Sequence, residues 1–152
     1  TMMFAADRIG KNYGEYARDH RVLVEGQLRT AEEFGFDYVS CISDPAREAT
    51  DCGAHIEFFE DQPPAVVESD ALLTDKNILR TLEIPDPLGG GRMHDRVKAA
   101  EQFKRAVGDD LLIDRCTGCQ PICGLSQITP EQLYCQPGLR RLFWHQFKGS
   151  RI

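Results

Sequence analysis

The sequence predicts an α/β fold that is built on a parallel sheet. A nearly continuous apolar or β-prone run at residues 38–42 is typical of a strand buried on both faces, and Pro45 ends it. A predicted helix, Arg92–Val107, is followed by a second such run at residues 111–116. Strand, helix and strand in this order predict a right-handed crossover, which brings the carboxyl ends of both strands to one edge of the sheet.

The beginning of the chain predicts one further strand and one helix. The apolar residues 2–6 are interpreted as a buried strand that ends at Asp7. A helix is predicted over residues 19–34, because an aspartate can cap its start and Gly35 can end it. Gly26 inside this helix costs about 1 kcal/mol relative to alanine. We therefore expect another backbone to approach Gly26 closely.

The middle of the chain predicts short elements. Residues 46–52 are predicted as a short helix and residues 54–59 as a short extended piece. The double proline at 63–64 breaks regular structure, and residues 65–69 are predicted as an edge strand or extended loop. Asp75 is expected to cap one or two helical turns.

Three consecutive glycines, 89–91, precede the long helix Arg92–Val107. No lysine followed by serine or threonine comes after them and no strand comes before them, so a phosphate-binding loop is not predicted. They are interpreted as a hinge or surface loop. The helix itself is predicted to bury one apolar stripe, which consists of Met93, Val97, Ala100, Phe103 and Val107.

Charge and hydropathy exclude several classes of function. The 152 residues carry 18 basic and 24 acidic side chains, a net charge of −6. Residues 1–115 carry 14 basic and 23 acidic side chains, a net of −9, so a general nucleic-acid surface is not predicted there. Neither a leader peptide nor an apolar run near 18 residues is found. We therefore expect a cytoplasmic protein with no nucleic-acid or membrane partner.

The strand end around Asp44 resembles a known family. Ile42-Ser43-Asp44, the segment that follows it to Gly53, and residues 57–64 with their double proline resemble the uroporphyrinogen decarboxylase superfamily. In that family a phenylalanine, a serine and an aspartate end the second barrel strand, and Ile42 replaces the phenylalanine here. The resemblance spans about residues 3–118.

The resemblance implies a partial (β/α)₈ barrel, roughly its first three βα units, because a complete barrel needs about 250 residues. Residues 1–118 are accordingly predicted to form the partial barrel. Residues 119–152 are predicted to form a divergent basic tail with a net charge of +3 counted from residue 116. Three of eight strands would leave sheet edges unpaired, which predicts self-association.

The resemblance also implies a site at the carboxyl end of the sheet. Asp44 is its candidate catalytic residue, and Ser43, Asp7 and Thr117 are candidate substrate-binding residues. The alternative is structural: an aspartate at a strand end commonly caps the following helix or pairs with a nearby cation such as Arg47.

Two reactions of the superfamily stay open. In its methyltransferase branch, which residues 57–64 resemble more, a methyl group passes from a methyl-corrinoid to a thiol that zinc holds as thiolate. In decarboxylation no cofactor is needed. The family aspartate accepts hydrogen bonds from the pyrrole N–H groups of a tetrapyrrole and stabilises the cationic form of that ligand. The expected partners are a tetrapyrrole or corrinoid ligand and, for methyl transfer, a corrinoid protein. A partial barrel is expected to lack either activity by itself.

The resemblance assigns no zinc ligands in this chain. The family ligands are a histidine-x-cysteine pair and a later cysteine from later strands, and His145 has no cysteine two residues on. The other histidines, His20, His55 and His94, have no spacing that suggests a site. They are interpreted as surface or capping residues.

Two rival hypotheses rest on other residues. Cys116, Cys119 and Cys123, with Cys135 beyond, could converge on one metal, although known zinc and iron–sulfur sites use other spacings. Cys41 and Cys52 are interpreted as small core residues. The basic residues 139–152 are weighed as a docking segment for a partner or an anionic surface. On either hypothesis the chain would be a non-catalytic fragment or a binding module.

Overall fold

The computed structural model describes residues 2–114, and the structural statements below concern that part of the chain. Helices and strands alternate irregularly along it. The α-helices are α1 (Met2–Asp7), α2 (Tyr13–Arg18), α3 (His20–Phe34), α4 (Arg47–Asp51) and α5 (Arg92–Val107). The strands are β1 (Tyr38–Ser40), β2 (Ile56–Glu57), β3 (Ala65–Val66) and β4 (Leu112–Asp114), and 3₁₀ turns occupy Glu68–Asp70 and Lys76–Arg80.

The predicted parallel pair of strands is confirmed. Strand β1 lies beside β4 with Val39 opposite Ile113, and helix α5 connects back to β4. The prediction that the first strand is buried on both faces is wrong at its start. Tyr38 is exposed and Val39 is fully buried, so burial begins only at the second residue of β1. The result is a mixed α/β structure with a short parallel sheet.

The beginning of the chain is helical, so the prediction of a strand ending at Asp7 is wrong. Helix α1 buries Ala5 and Ala6 and leaves Met3 and Phe4 exposed. It packs on α3, where a Cβ atom added to Gly26 would lie 2.6 Å from the carbonyl oxygen of Ala5. The expectation that a backbone approaches Gly26 is therefore confirmed, and the approaching backbone is that of α1.

Helix α3 agrees with its prediction at both ends. The carboxylate of Asp19 accepts a hydrogen bond from the backbone N–H of Arg21 at 2.9 Å, and Gly35 ends the helix with a φ of 65°. A left-handed residue at this position favours glycine. The main core lies between α1, α2, α3, β1 and α5, with Tyr16, Leu23, Val24, Val39 and Phe103 among its largest buried side chains.

Helix α5 also has its predicted bounds, but its buried face only partly matches the predicted apolar stripe. Its buried residues are Arg96, Ala99, Phe103 and Val107, whereas Met93 and Val97 are only half buried. The buried face is thus rotated towards two arginines that the predicted apolar stripe left out. The carboxylate of Asp51 caps the start of α5 by accepting the backbone N–H groups of Arg92 and Met93 at 2.8 and 2.7 Å.

The middle segment contains the predicted short elements. Strands β2 and β3 form a two-stranded antiparallel hairpin. Asp75 caps the 3₁₀ turn Lys76–Arg80 through the backbone N–H of Asn77. A second, smaller core of Ala49, Ala54 and Leu73 lies beneath this segment. Across residues 2–114, no helix is both long and apolar enough to cross a membrane.

Candidate functional site

Asp44 is the centre of a buried polar network. It follows β1 by four positions, and its side chain is fully buried. Its Oδ1 atom accepts hydrogen bonds from the Ala46 N–H at 3.1 Å and the Arg92 Nη1 at 3.0 Å. Its Oδ2 atom accepts from the Ser43 hydroxyl at 2.5 Å, the Arg92 Nη2 at 2.8 Å and the Arg47 Nη2 at 3.3 Å. Five donors therefore occupy the two carboxylate oxygens.

These contacts keep Asp44 ionised. Burial by itself would raise the pKa of this carboxyl group. The hydrogen bonds and positive charge of Arg92, the charge of Arg47 and the Ser43 hydroxyl together outweigh burial and lower the pKa of Asp44 below its usual value. The carboxylate is thus the counter-ion that lets two arginines stay inside the protein.

Three guanidinium groups converge next to Asp44. Arg92 and Arg96 both donate to the backbone carbonyl of Ala17, at 3.2 and 3.1 Å, while Arg47 and Arg92 share Asp44 Oδ2. Arg96 also pairs with Asp95 at 2.8 Å. Burial, followed by the charge of Arg96, lowers the pKa of Arg47 to about 10. We call Arg47, Arg92 and Arg96 the arginine cluster.

Two helices, α4 and α5, position the arginine cluster. Arg92 and Arg96 stand one turn apart on α5, so their side chains lie on the same face of the helix. Arg47 is the first residue of α4. Asp51, at the end of α4, caps α5 and so joins the two helices. The cap and the shared carboxylate therefore act together to hold the arginines in place.

Two tyrosines of α2 support the segment that carries Asp44. The hydroxyl of Tyr13 donates to the carbonyl of Ser43, and that of Tyr16 donates to the carbonyl of Ile42 at 3.4 Å. Gln27 of α3 in turn donates to the Tyr16 hydroxyl at 2.8 Å. Burial raises the pKa of both tyrosines to about 12, so both remain protonated donors. These bonds satisfy carbonyl groups beyond the end of the β-ladder.

Phe58 packs against Arg92 of the arginine cluster. Its half-buried ring contacts two cations, with the Arg18 guanidinium 4.5 Å and the Arg92 guanidinium 5.1 Å from the ring centre. Cation–π contacts of this kind are attractive. The loop after β2 is held in turn by a hydrogen bond from the Gly14 N–H to the Glu60 carbonyl.

The structure brings some of the predicted site residues together. Ser43 and Asp44 are in direct contact, and the pairing of Asp44 with Arg47, the structural alternative, is confirmed. Asp7 lies exposed at the end of α1, so the strand end that made it a candidate does not exist. The remaining predicted site residues, Thr117, Cys116, Cys119 and Cys123, lie outside the described residues, as does the basic tail.

Sequence reasoning missed Arg92 and Arg96. Their i, i+4 spacing on α5 was the available signal, because it places two cations on one helical face. The predicted apolar stripe included neither arginine. The contact between Arg92 and Asp44 joins positions that are 48 residues apart, which no local pattern reveals.

His20 also has a partner that spacing did not indicate. Its backbone N–H and its Nδ1 atom both contact Asp95 Oδ1, at 3.0 and 2.9 Å, and Asp19 lies 3.7 Å from the same ring nitrogen. Asp19 and Asp95 are already paired with Arg21 and Arg96. The three side chains therefore form a junction between α3 and α5 rather than an open metal site.

The short parallel sheet and the polar network after β1 are typical of an α/β protein with a site at the end of a strand. Comparison with known proteins gives the family. The family described as "Uroporphyrinogen decarboxylase (URO-D)" matches residues 2–118. The chain therefore belongs to the uroporphyrinogen decarboxylase family, as the residues around Asp44 indicated. No curated protein sequence matches the chain.

A solved structure shares the fold. It is a methyltransferase from Methanosarcina mazei, with a TM-score of 0.63 and 19% sequence identity. The match covers 75% of this chain and 33% of the methyltransferase. The chain thus spans about a third of that protein's length.

Proposed function

We propose that the chain is part of a (β/α)₈ barrel, roughly its first βα units, that binds a tetrapyrrole-type ligand at the carboxyl end of β1. The protein would transfer a methyl group from a methyl-corrinoid to a thiol. Family membership, the parallel pair of β1 and β4, and the fold shared with a methyltransferase support this proposal. In α/β folds, ligands bind at the carboxyl ends of parallel strands, which is where Asp44 and Ser43 lie.

The observation that carries the proposal is the saturated state of Asp44. Its oxygens accept five donors from Ser43, Ala46, Arg47 and Arg92 and have no exposed surface. Methyl transfer moves a carbon between cobalt and sulfur and requires no N–H contact from this carboxylate. A carboxylate whose oxygens are fully occupied by donors suits that role, in which it holds two arginines in place beside the ligand.

Uroporphyrinogen decarboxylation is the second candidate, and the ionisation of Asp44 favours it. That reaction requires a carboxylate that stabilises a cationic pyrrole, and the contacts of Asp44 hold its pKa below the usual value. For a pyrrole N–H to reach Oδ2, Arg92 or Arg47 would first have to leave it. The decarboxylase reading therefore predicts a rearrangement of these arginines when the ligand binds.

The zinc that the methyltransferase branch uses does not fit the residues of this chain. Nowhere in the sequence does a cysteine follow a histidine by two positions. Within residues 2–114, the one group of three metal-ligating side chains is Asp19, His20 and Asp95, whose carboxylates are paired with arginines. We therefore assign ligand binding, and no thiol activation, to Ser43 and Asp44. Thr117 and a corrinoid-carrying partner protein remain proposals for contact with the ligand.

Equilibrium dialysis with methylcobalamin and with uroporphyrin III tests the proposal. We expect the chain to bind methylcobalamin more tightly than uroporphyrin III. Asp44→Asn should weaken methylcobalamin binding about tenfold or more, because Arg47 and Arg92 lose the charged partner that holds them in place. Asp37→Asn, an exposed aspartate, is the matched control and should bind as the unaltered chain does. Preferential binding of uroporphyrin III would favour decarboxylation. Binding of neither compound would overturn both functions.

A further inference from the structure

The arginine cluster contains buried donors that lack acceptors. Among the described residues, Arg47 Nε, Arg96 Nε and Arg96 Nη1 are buried and have no hydrogen-bond partner. The side chains of Arg47 and Arg96 are only 8% and 9% exposed. An unsatisfied buried donor is costly, and more so when it carries charge, so native proteins pair nearly all of them.

The acceptors near the cluster are already in use. Asp44 accepts five donors, and Asp95 contacts Arg96 and His20. The Ala17 carbonyl accepts from both Arg92 and Arg96. Three guanidinium groups thus share the hydrogen bonds of two carboxylates, and Glu48 adds a nearby negative charge that favours protonated Arg47. Burial and the charge of Arg96 both disfavour the protonated form of Arg47, as its lowered pKa reflects.

We propose that the arginine cluster is an oxyanion-binding site in which Arg47 and Arg96 donate their free N–H groups to a carboxylate or phosphate group of the ligand. The inference deepens the proposed function and rests on it for the identity of the ligand, since the oxyanion would be an acidic substituent of the tetrapyrrole. Guanidinium groups are the preferred protein partners for both kinds of oxyanion.

The position of the cluster suits this role. It adjoins the carboxyl end of β1, and Phe58 is the half-buried side chain that covers Arg92. Asp44 holds Arg47 and Arg92 in fixed positions, so the site is arranged before an anion arrives. We expect Phe58 to be displaced when the anion binds Arg47 and Arg96, because the cation–π contacts that hold it are worth only about 0.5–2 kcal/mol each.

Nuclear magnetic resonance of the arginine Nε–H groups tests the inference in the unaltered chain. Sodium acetate and sodium phosphate are titrated separately, with sodium chloride keeping the ionic strength constant. We expect the Nε–H resonances of Arg47 and Arg96 to shift and to reach saturation, whereas the exposed Arg105 should respond weakly and linearly. Tighter binding of acetate would identify a carboxylate as the natural group, and tighter binding of phosphate would identify a phosphate.

The variant Arg96→Lys retains the charge but removes the Nε–H and Nη1 donors. It should weaken the binding of the preferred anion about tenfold or more, and Arg105→Lys should leave it unchanged. If Arg96→Lys does not fold, the titration of the unaltered chain still decides the question. Resonances of Arg47 and Arg96 that follow Arg105 in every salt would overturn the inference. Saturable acetate or phosphate binding without methylcobalamin binding would sustain it while removing the proposed function.

Discussion

The Arg92 guanidinium donates a hydrogen bond to each carboxylate oxygen of Asp44, with Nη1 3.0 Å from Oδ1 and Nη2 2.8 Å from Oδ2. This bidentate pair joins the segment after β1 to the first residue of α5. It is buried, because the Asp44 side chain is fully covered and that of Arg92 is 14% exposed. The pair therefore links the packing of the two elements to the charge of the candidate site.

Removing Arg92 should destabilise the fold strongly. In Arg92→Met the methionine keeps the apolar stem of the arginine, but Asp44 loses two of its five donors. We therefore expect the free energy of unfolding to fall by about 3–5 kcal/mol, as it does when other buried ion pairs are broken. Chemical denaturation measures this change. Arg105→Met, at an exposed position, should cost less than about 0.5 kcal/mol. Equal losses in the two variants would show that the Asp44–Arg92 pair does not stabilise the fold.

The same pair should shape the response to acid. The folded pKa of Asp44 lies below its unfolded value of about 3.9, so the unfolded state binds more protons in this range and stability falls as the pH drops through it. Asp19 contributes to the same acid loss, because Arg21 holds its pKa at about 2.

In Arg92→Met, burial raises the pKa of Asp44 with less opposition. Acid unfolding, followed by circular dichroism, should therefore begin at a higher pH than in the unaltered chain. Arg21→Met should change only the acid loss of stability that comes from Asp19 and should leave the contribution of Asp44 unchanged. Superimposable acid curves for Arg92→Met and the unaltered chain would contradict the assignment.

Gly26→Ala should destabilise the packing of α1 on α3. Alanine favours a helix over glycine by about 1 kcal/mol, but the new Cβ atom would lie 2.6 Å from the Ala5 carbonyl oxygen. Because the contact is with backbone, we expect a net loss of about 1–3 kcal/mol in thermal or chemical unfolding. Glu25→Ala, at the neighbouring exposed position, is the control and should be nearly neutral. A stabilised Gly26→Ala variant would show that α1 does not pack here.

Gly91 and Asp51 should act as one unit at the start of α5. Asp51→Ala removes the acceptor for two backbone N–H groups and should cost about 0.5–2 kcal/mol. In Gly91→Ala the new Cβ atom would lie 2.5 Å from Asp51 Oδ1 and so displace the same cap. The double variant should therefore lose little more than either single variant, and Lys98→Ala, further along α5, should be neutral. Additive losses of stability in the double variant would show that Gly91 and Asp51 stabilise α5 independently.

Local signals in the sequence predicted the elements that local chemistry determines. Helix α3 was predicted at both ends because Asp19 and Gly35 act on their own neighbours. The prediction of a strand at residues 2–6 is wrong because an apolar run of five residues has no distinctive period. The helical form of α1 is fixed instead by its packing against Gly26 of α3, which the run itself does not reveal. Asp44 and Ser43 were found through a motif, whereas Arg92 and Arg96 enter the site only through contacts across the fold.

Amide hydrogen exchange with and without methylcobalamin tests most directly the central claim that the ligand binds at the Asp44–Arg92 network. We predict that methylcobalamin slows exchange in residues 42–47 and 91–96, which carry the network, and that Asp44→Asn abolishes this protection. The groove lined by Arg8, Ile9, Glu25, Leu28, Arg29 and Glu32, on α3 and just beyond α1, is an internal comparison. Protection confined to that groove, or no protection anywhere in the chain, would contradict the account.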